Sequence, residues 1–128
     1  MRLLFDSHFL IAIVNDAVTP GQRKIIEACA RADMHCASVA SLWEIAIKHR
    51  LGKLRLATVL ARLPELLESY GFSMLDIDRH HVIEELRDPP KTKDPFDRLL
   101  LAQCQTEGLR LVTTDNALLA HPLAWREA

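Results

Sequence analysis

The chain has 128 residues, 49% of them hydrophobic and 26% charged, with a formal net charge of −1; that length suits one domain with a real core, and that composition excludes disorder. Its 16 basic and 17 acidic residues exclude a generic polycationic coat for nucleic acid, while leaving room for a local basic patch. No apolar run approaches the ~20 residues of a membrane span, and residues 1–6 meet an acid too early for a secretory leader, so a cytoplasmic protein is expected.

Leu3-Leu4-Phe5 is an unbroken apolar run ending at Asp6-Ser7, the pattern of a strand buried on both faces. A short helix over 7–15 follows. Thr19-Pro20-Gly21-Gln22 combines a cap, a proline at the first helical position and a capping-box glutamine. Residues 34–37 are expected to form a short strand. Ser38 then caps a helix whose apolar stripe reads as Val39, Leu42, Trp43, Ala46 and Ile47. Residues 58–70 look helical, divided by Pro64 and stopped by Gly71. Residues 73–77 suggest another strand, and Asp78 caps a short helix reaching about residue 86. An irregular loop over 88–93 leads to Asp94-Pro95-Phe96-Asp97, which opens a helix that Gly108 closes. Residues 109–112 are a second buried strand, delivering Thr113-Thr114-Asp115. Cys29, Cys36 and Cys104, odd in number and widely spaced, read as buried thiols and not as a disulfide framework. No repeat or linker interrupts the chain, so residues 1–128 form a single domain. The alternation of strands and helices makes it α/β, with a mostly parallel sheet covered by helices.

Ligands of open α/β sheets bind beyond the carboxyl ends of the strands. Asp6 follows the first strong strand and Asp115 the last, so parallel pairing brings both carboxylates to one edge. The helix opened by Asp94 carries Asp97 in its first turn, and reaches that edge if its loop brings it around. Each acid also has an ordinary structural reading. Asp94 and Asp115 are good helix caps, Asp97 suits the helix dipole, and Glu44 reads as an exposed i, i+4 partner of Lys48. Taken singly, only Asp6 favours function. Converging acids would repel one another unless a cation neutralised them, and all-oxygen ligation suits Mg²⁺ or Mn²⁺. Zinc is poorly served, because His80 and His81 are adjacent and no Cys/His spacing matches a zinc pattern. A P-loop, a G-x-G-x-x-G turn and a G-x-S-x-G elbow are all missing from the sequence.

Four stretches together resemble the PIN-domain nucleases, and more narrowly the VapC toxins of bacterial type II toxin–antitoxin systems. They are Leu4-Phe5-Asp6-Ser7, then Ser41-Leu42-Trp43-Glu44-Ile45-Ala46-Ile47-Lys48 with Gly52-Lys53-Leu54, then Asp94-Pro95-Phe96-Asp97-Arg98-Leu99-Leu100, and Val112-Thr113-Thr114-Asp115. The resemblance implies a parallel five-stranded sheet sandwiched by helices, a PIN-like α/β/α fold. It also implies an acidic cluster of Asp6, Glu44, Asp97 and Asp115 that binds Mg²⁺ or Mn²⁺ and cleaves RNA, with Ser7, Asp94 and Thr113 in support. Lys91-Thr92-Lys93 stands where many relatives carry a histidine, and Ala12 or a neighbour stands where they often carry a tryptophan.

The expected activity is therefore endoribonucleolytic hydrolysis by metal-activated water. Asp6, Asp97 and Asp115 would hold the metal, with Glu44 completing the site. Lys48, Arg50, Lys53, Lys91, Lys93 and Arg98 are the candidate contacts to the RNA backbone, although Arg98 could instead pair with Asp94. The resemblance makes a small antitoxin encoded nearby and a second copy of the chain the expected protein partners, and Leu60, Leu63, Leu66 and Leu67 over residues 58–70 either serve such a contact or pack on the core. The rival reading is a non-catalytic PIN-like or receiver-like metal-binding interaction domain. A receiver needs an acid pair before its acceptor, whereas the first strand here ends in one acid.

Overall fold

The apolar run near the N-terminus becomes an inner strand of the sheet. In the computed structural model, which describes residues 1–127, β1 (Arg2–Phe5) lies between β2 (Met34–Ser38) and β4 (Arg110–Val112). The sheet continues past β2 to β3 (Ser73–Leu75), in the order β3-β2-β1-β4, and every pair is parallel. Alternation along β1 explains why the run is apolar throughout. Leu3 and Phe5 face one core, where Phe5 meets Phe9 and Phe72 edge-on at 5.7 and 5.3 Å between ring centroids. Leu4 faces the other, with Leu100, Leu101, Cys104 and Leu111.

The helices that form these layers are α1 (Ser7–Val14), α2 (Pro20–Ala28), α3 (Val39–Arg50), α4 (Leu63–Ser69), α5 (Arg79–Ile83), α6 (Pro95–Glu107) and α7 (Asn116–Leu119). The caps read from the sequence form as expected. Thr19 and Gln22 make a reciprocal capping box, Ser38 caps α3, Asp78 caps α5, and Gly108 ends α6 in the left-handed region at φ 69°. The three cysteines are free and buried, and burial pushes the Cys29 thiol up to about 11. No helix among the described residues is long and apolar enough to cross a membrane.

Three expectations need correction. The sheet has four strands among the described residues, where five were expected. Beyond β4 there is a single parallel bridge, Leu111 to Ala124, held by two backbone hydrogen bonds of 2.8 Å. Pro122 has no N–H to extend that ladder, and a turn closes Ala124 back onto His121 at once. Second, the buried face of α3 is Ala40, Ser41, Glu44 and Ile45, while Trp43 is 58% exposed. The helix is packed by α1 on one side and α6 on the other, so no single apolar stripe sets its orientation. Third, the leucines over residues 60–67 turn toward the core. Leu63 and Leu67 are fully buried, and Leu60 and Leu66 pack against the same core. Much of this leucine content thus serves the core, with Leu60 and Leu66 left partly exposed.

Candidate functional site

Parallel register builds the site. Phe5 pairs with Val112, so the next residues, Asp6 and Thr113, stand side by side at the carboxyl ends of the two central strands. A backbone hydrogen bond of 3.1 Å from Asp6 N to Val112 O locks that junction. Asp6 is only 3% exposed. One carboxylate oxygen accepts from Phe9 N and caps α1, while Oδ2 is buried with no hydrogen-bond partner. Burial therefore raises the Asp6 pKa, and the nearby Thr113 hydroxyl and the N–H groups of the α1 start oppose the rise.

Glu44 is the largest departure from the bland sequence reading. It is 6% exposed, pointing inward from α3. Ser7 Oγ, in the first turn of α1, donates to Glu44 Oε1 at 2.6 Å. Lys48 Nζ, one turn further along α3, donates to Glu44 Oε2 at 2.8 Å. The i, i+4 pair expected from spacing does form, but its acid is buried. The Lys48 ammonium is held above its ordinary range by that hydrogen bond, and the charges of Glu44, Asp94 and Asp97 add to the effect.

Asp97 arrives from α6, whose N-terminus opens at this edge. Its carboxyl pKa is pushed up to about 6, first by burial, then by the charge of Asp94, with Asp115 and Glu44 contributing. Four acids from three separate stretches of sequence, Glu44, Asp94 with Asp97, and Asp115, thus meet electrostatically at Asp97. Thr92 Oγ1 donates to Asp97 Oδ2 at 3.3 Å and lowers it somewhat.

Thr92 was not among the residues singled out from the sequence, and a signal for it was present. Thr92-Lys93-Asp94 and Thr113-Thr114-Asp115 share the pattern T-x-D. In both, the threonine hydroxyl accepts the N–H of the aspartate two residues on, at 3.1 and 3.0 Å. In both, that aspartate caps the following helix, α6 or α7. The same local device delivers two acids to the site.

The basic candidates divide. Lys48 is committed to Glu44. The Arg98 guanidinium donates to Glu84 O at 3.3 Å, and no ion pair with Asp94 forms among the described residues. Arg50, Lys53, Lys91 and Lys93 are exposed.

These acids suit an oxygen-bound divalent cation by chemistry. They offer an orphaned buried carboxylate oxygen and a mutually repelling, partly desolvated set. They do not crowd to within mutual ligand distance. Among the described residues, the trio whose ligand atoms all lie within 4.8 Å is Asp78, His81 and Glu107. That trio is a structural tie. Asp78 N donates to His81 Nδ1 at 3.0 Å, which leaves the proton on Nε2 to donate to Glu107 Oε2 at 2.9 Å. Neither ring nitrogen has a lone pair to spare for a metal. Glu107 also lies ten residues along α6 from Asp97, roughly 15 Å at 1.5 Å per residue.

No curated protein sequence matches the chain. Its fold is similar to that of a chain from a toxin-antitoxin complex from Klebsiella pneumoniae, with a TM-score of 0.68, 19% identity, and 98% of each chain covered. The PIN domain matches residues 3–122. That match spans β1 through α7 and includes Asp6, Glu44, Asp97 and Asp115, and the chain belongs to the PIN domain family.

Proposed function

We propose that this chain is a Mg²⁺- or Mn²⁺-dependent endoribonuclease, acting as the VapC-like toxin of a toxin–antitoxin pair. The observation that carries the reading is the carboxyl pKa of Asp97, which is pushed up to about 6 by burial and by Asp94, Asp115 and Glu44, while Ser7, the residue after Asp6, holds Glu44. PIN domains are typically nucleases and usually bind divalent metals. The structural neighbour's membership of a toxin-antitoxin complex supports an antitoxin partner.

Asp6, Asp97 and Asp115 would hold the cation, which when bound activates water and offsets charge on the phosphoryl oxygens. The chain's own residues prepare that site. Ser7 fixes one oxygen of Glu44 and Lys48 the other, so this carboxylate is oriented before substrate arrives and can align or deprotonate water. Thr92 donates to Asp97 and steadies it. Exposed Lys91 and Lys93 offset the repulsion that an anionic backbone meets at an acidic site.

The test is cleavage of a single-stranded RNA by purified protein with Mg²⁺, with EDTA, and by Asp6→Asn. Asparagine caps helices as well as aspartate does, so this variant should fold. Cleavage is expected with Mg²⁺ alone. Undiminished cleavage in EDTA or by the variant refutes the metal-nuclease reading. Expression without a partner should arrest growth in the native host, and an innocuous wild-type chain refutes the toxin role.

A further inference from the structure

We propose that Trp43 and Phe96 form a stacking platform that holds one unpaired nucleobase of the substrate strand beside this site. The inference rests on the ribonuclease reading and adds the group that reads the strand. Trp43 is 58% exposed, while its neighbour Glu44 is buried in the site. Phe96 immediately precedes Asp97. The two rings meet edge-to-face, with centroids 5.6 Å apart and planes at 81°. The same two helix segments that deliver two of the acids therefore also deliver an aromatic corner to the rim of the cluster.

Physical chemistry limits what such a corner can do. The contact with Phe96 fixes the indole from one side, yet most of it stays in water, so its apolar burial is unrealised in the free protein. A nucleobase has the flat π-face that completes it, and stacking of this kind tolerates any base. Bases in a duplex are already stacked, so the platform favours single strands, loops and ends. The surroundings are polar and charged. Lys91, Lys93, Pro95 and Arg98, within five residues of Phe96 in the chain, are all exposed, a composition suited to a phosphate backbone and not to an apolar protein surface. Tyr70, the other strongly exposed aromatic among the described residues, lines a groove with Arg23, Ile26, Glu27 and Phe72, which includes none of the site's acids.

The chain has two tryptophans, so Trp125→Phe leaves Trp43 as the sole indole reporter. In EDTA at low salt, titration with a single-stranded oligoribonucleotide should quench Trp43 fluorescence saturably. An abasic strand of equal length, or a duplex, should not. In cleavage assays with Mg²⁺, Trp43→Ala should raise KM roughly 5- to 160-fold, the span expected for one lost stack, with kcat within about threefold and most of the loss restored by Trp43→Phe. Unchanged KM in Trp43→Ala overturns the proposal, as does equal quenching by the abasic strand. It is also overturned if sedimentation shows that Trp43→Ala splits a dimer and the oligonucleotide does not quench. If the wild-type chain cleaves nothing, the nuclease reading fails, and the quenching experiment still decides the platform.

Discussion

Asp97→Asn should make the metal-free protein more stable above pH 6 and leave it unchanged near pH 4. The carboxyl of Asp97 titrates at about 6 in the fold, against its ordinary 3.8. Between those values the folded state keeps a proton that the unfolded chain has released. Stability therefore falls as pH rises from about 4 to about 6 and stays reduced above, because the ionised group is partly desolvated by burial and is held beside Asp94, Asp115 and Glu44. At ~1.36 kcal/mol per pH unit the full difference is about 3 kcal/mol. Asp97 is only half-buried, so solvent screening reduces this to about 1–1.5 kcal/mol. Asparagine retains an oxygen to accept from Thr92, so the change isolates the charge. For a domain of this size the gain corresponds to roughly 3–6 °C in Tm. Thermal melts of both proteins in EDTA, from pH about 4 to about 8, measure it. A variant no more stable than wild type at pH 8, or a gain that persists at pH 4, refutes the account of a mutually repelling cluster.

Glu44→Gln should have the opposite sign, losing about 1 kcal/mol, because Glu44 already has Ser7 and Lys48 as partners and the charge-assisted bond to Lys48 weakens. Denaturant melts, with Lys48→Met as the second arm of a double-mutant cycle, should show that the two losses are not additive, while cleavage falls by orders of magnitude. Gly108→Ala should cost about 1 kcal/mol through its φ of 69° alone, since an added Cβ meets nothing closer than an Arg2 nitrogen at 3.6 Å; cleavage at saturating substrate should not change.

Local chemistry made much of this protein legible in advance. Continuous apolar runs mark strands buried on both faces, and caps such as Thr19, Ser38, Asp78 and Asp94 act through atoms within a few residues of themselves. Asp6 stood out for the same reason, as a lone acid ending a buried strand. What a one-dimensional pattern cannot carry is the direction in which a side chain points when neighbours far along the chain decide it. Glu44 reads as a surface acid beside Lys48, and only the packing of α3 between α1 and α6 turns it inward onto Ser7. Trp43 reads as core and is left in water by the same rotation. The high pKa of Asp97 comes first from burial and from Asp94 three residues before it, and Asp115 and Glu44, 18 residues after it and 53 before it, add to it. Sequence chemistry determined the elements and their caps and singled out Asp6, while Glu44, Asp97 and Asp115 joined it only through the resemblance. The parallel register of β1 and β4 and the crossing of three helices at one sheet edge decided which of those charges face each other, because electrostatic coupling depends on distance through space and not along the chain.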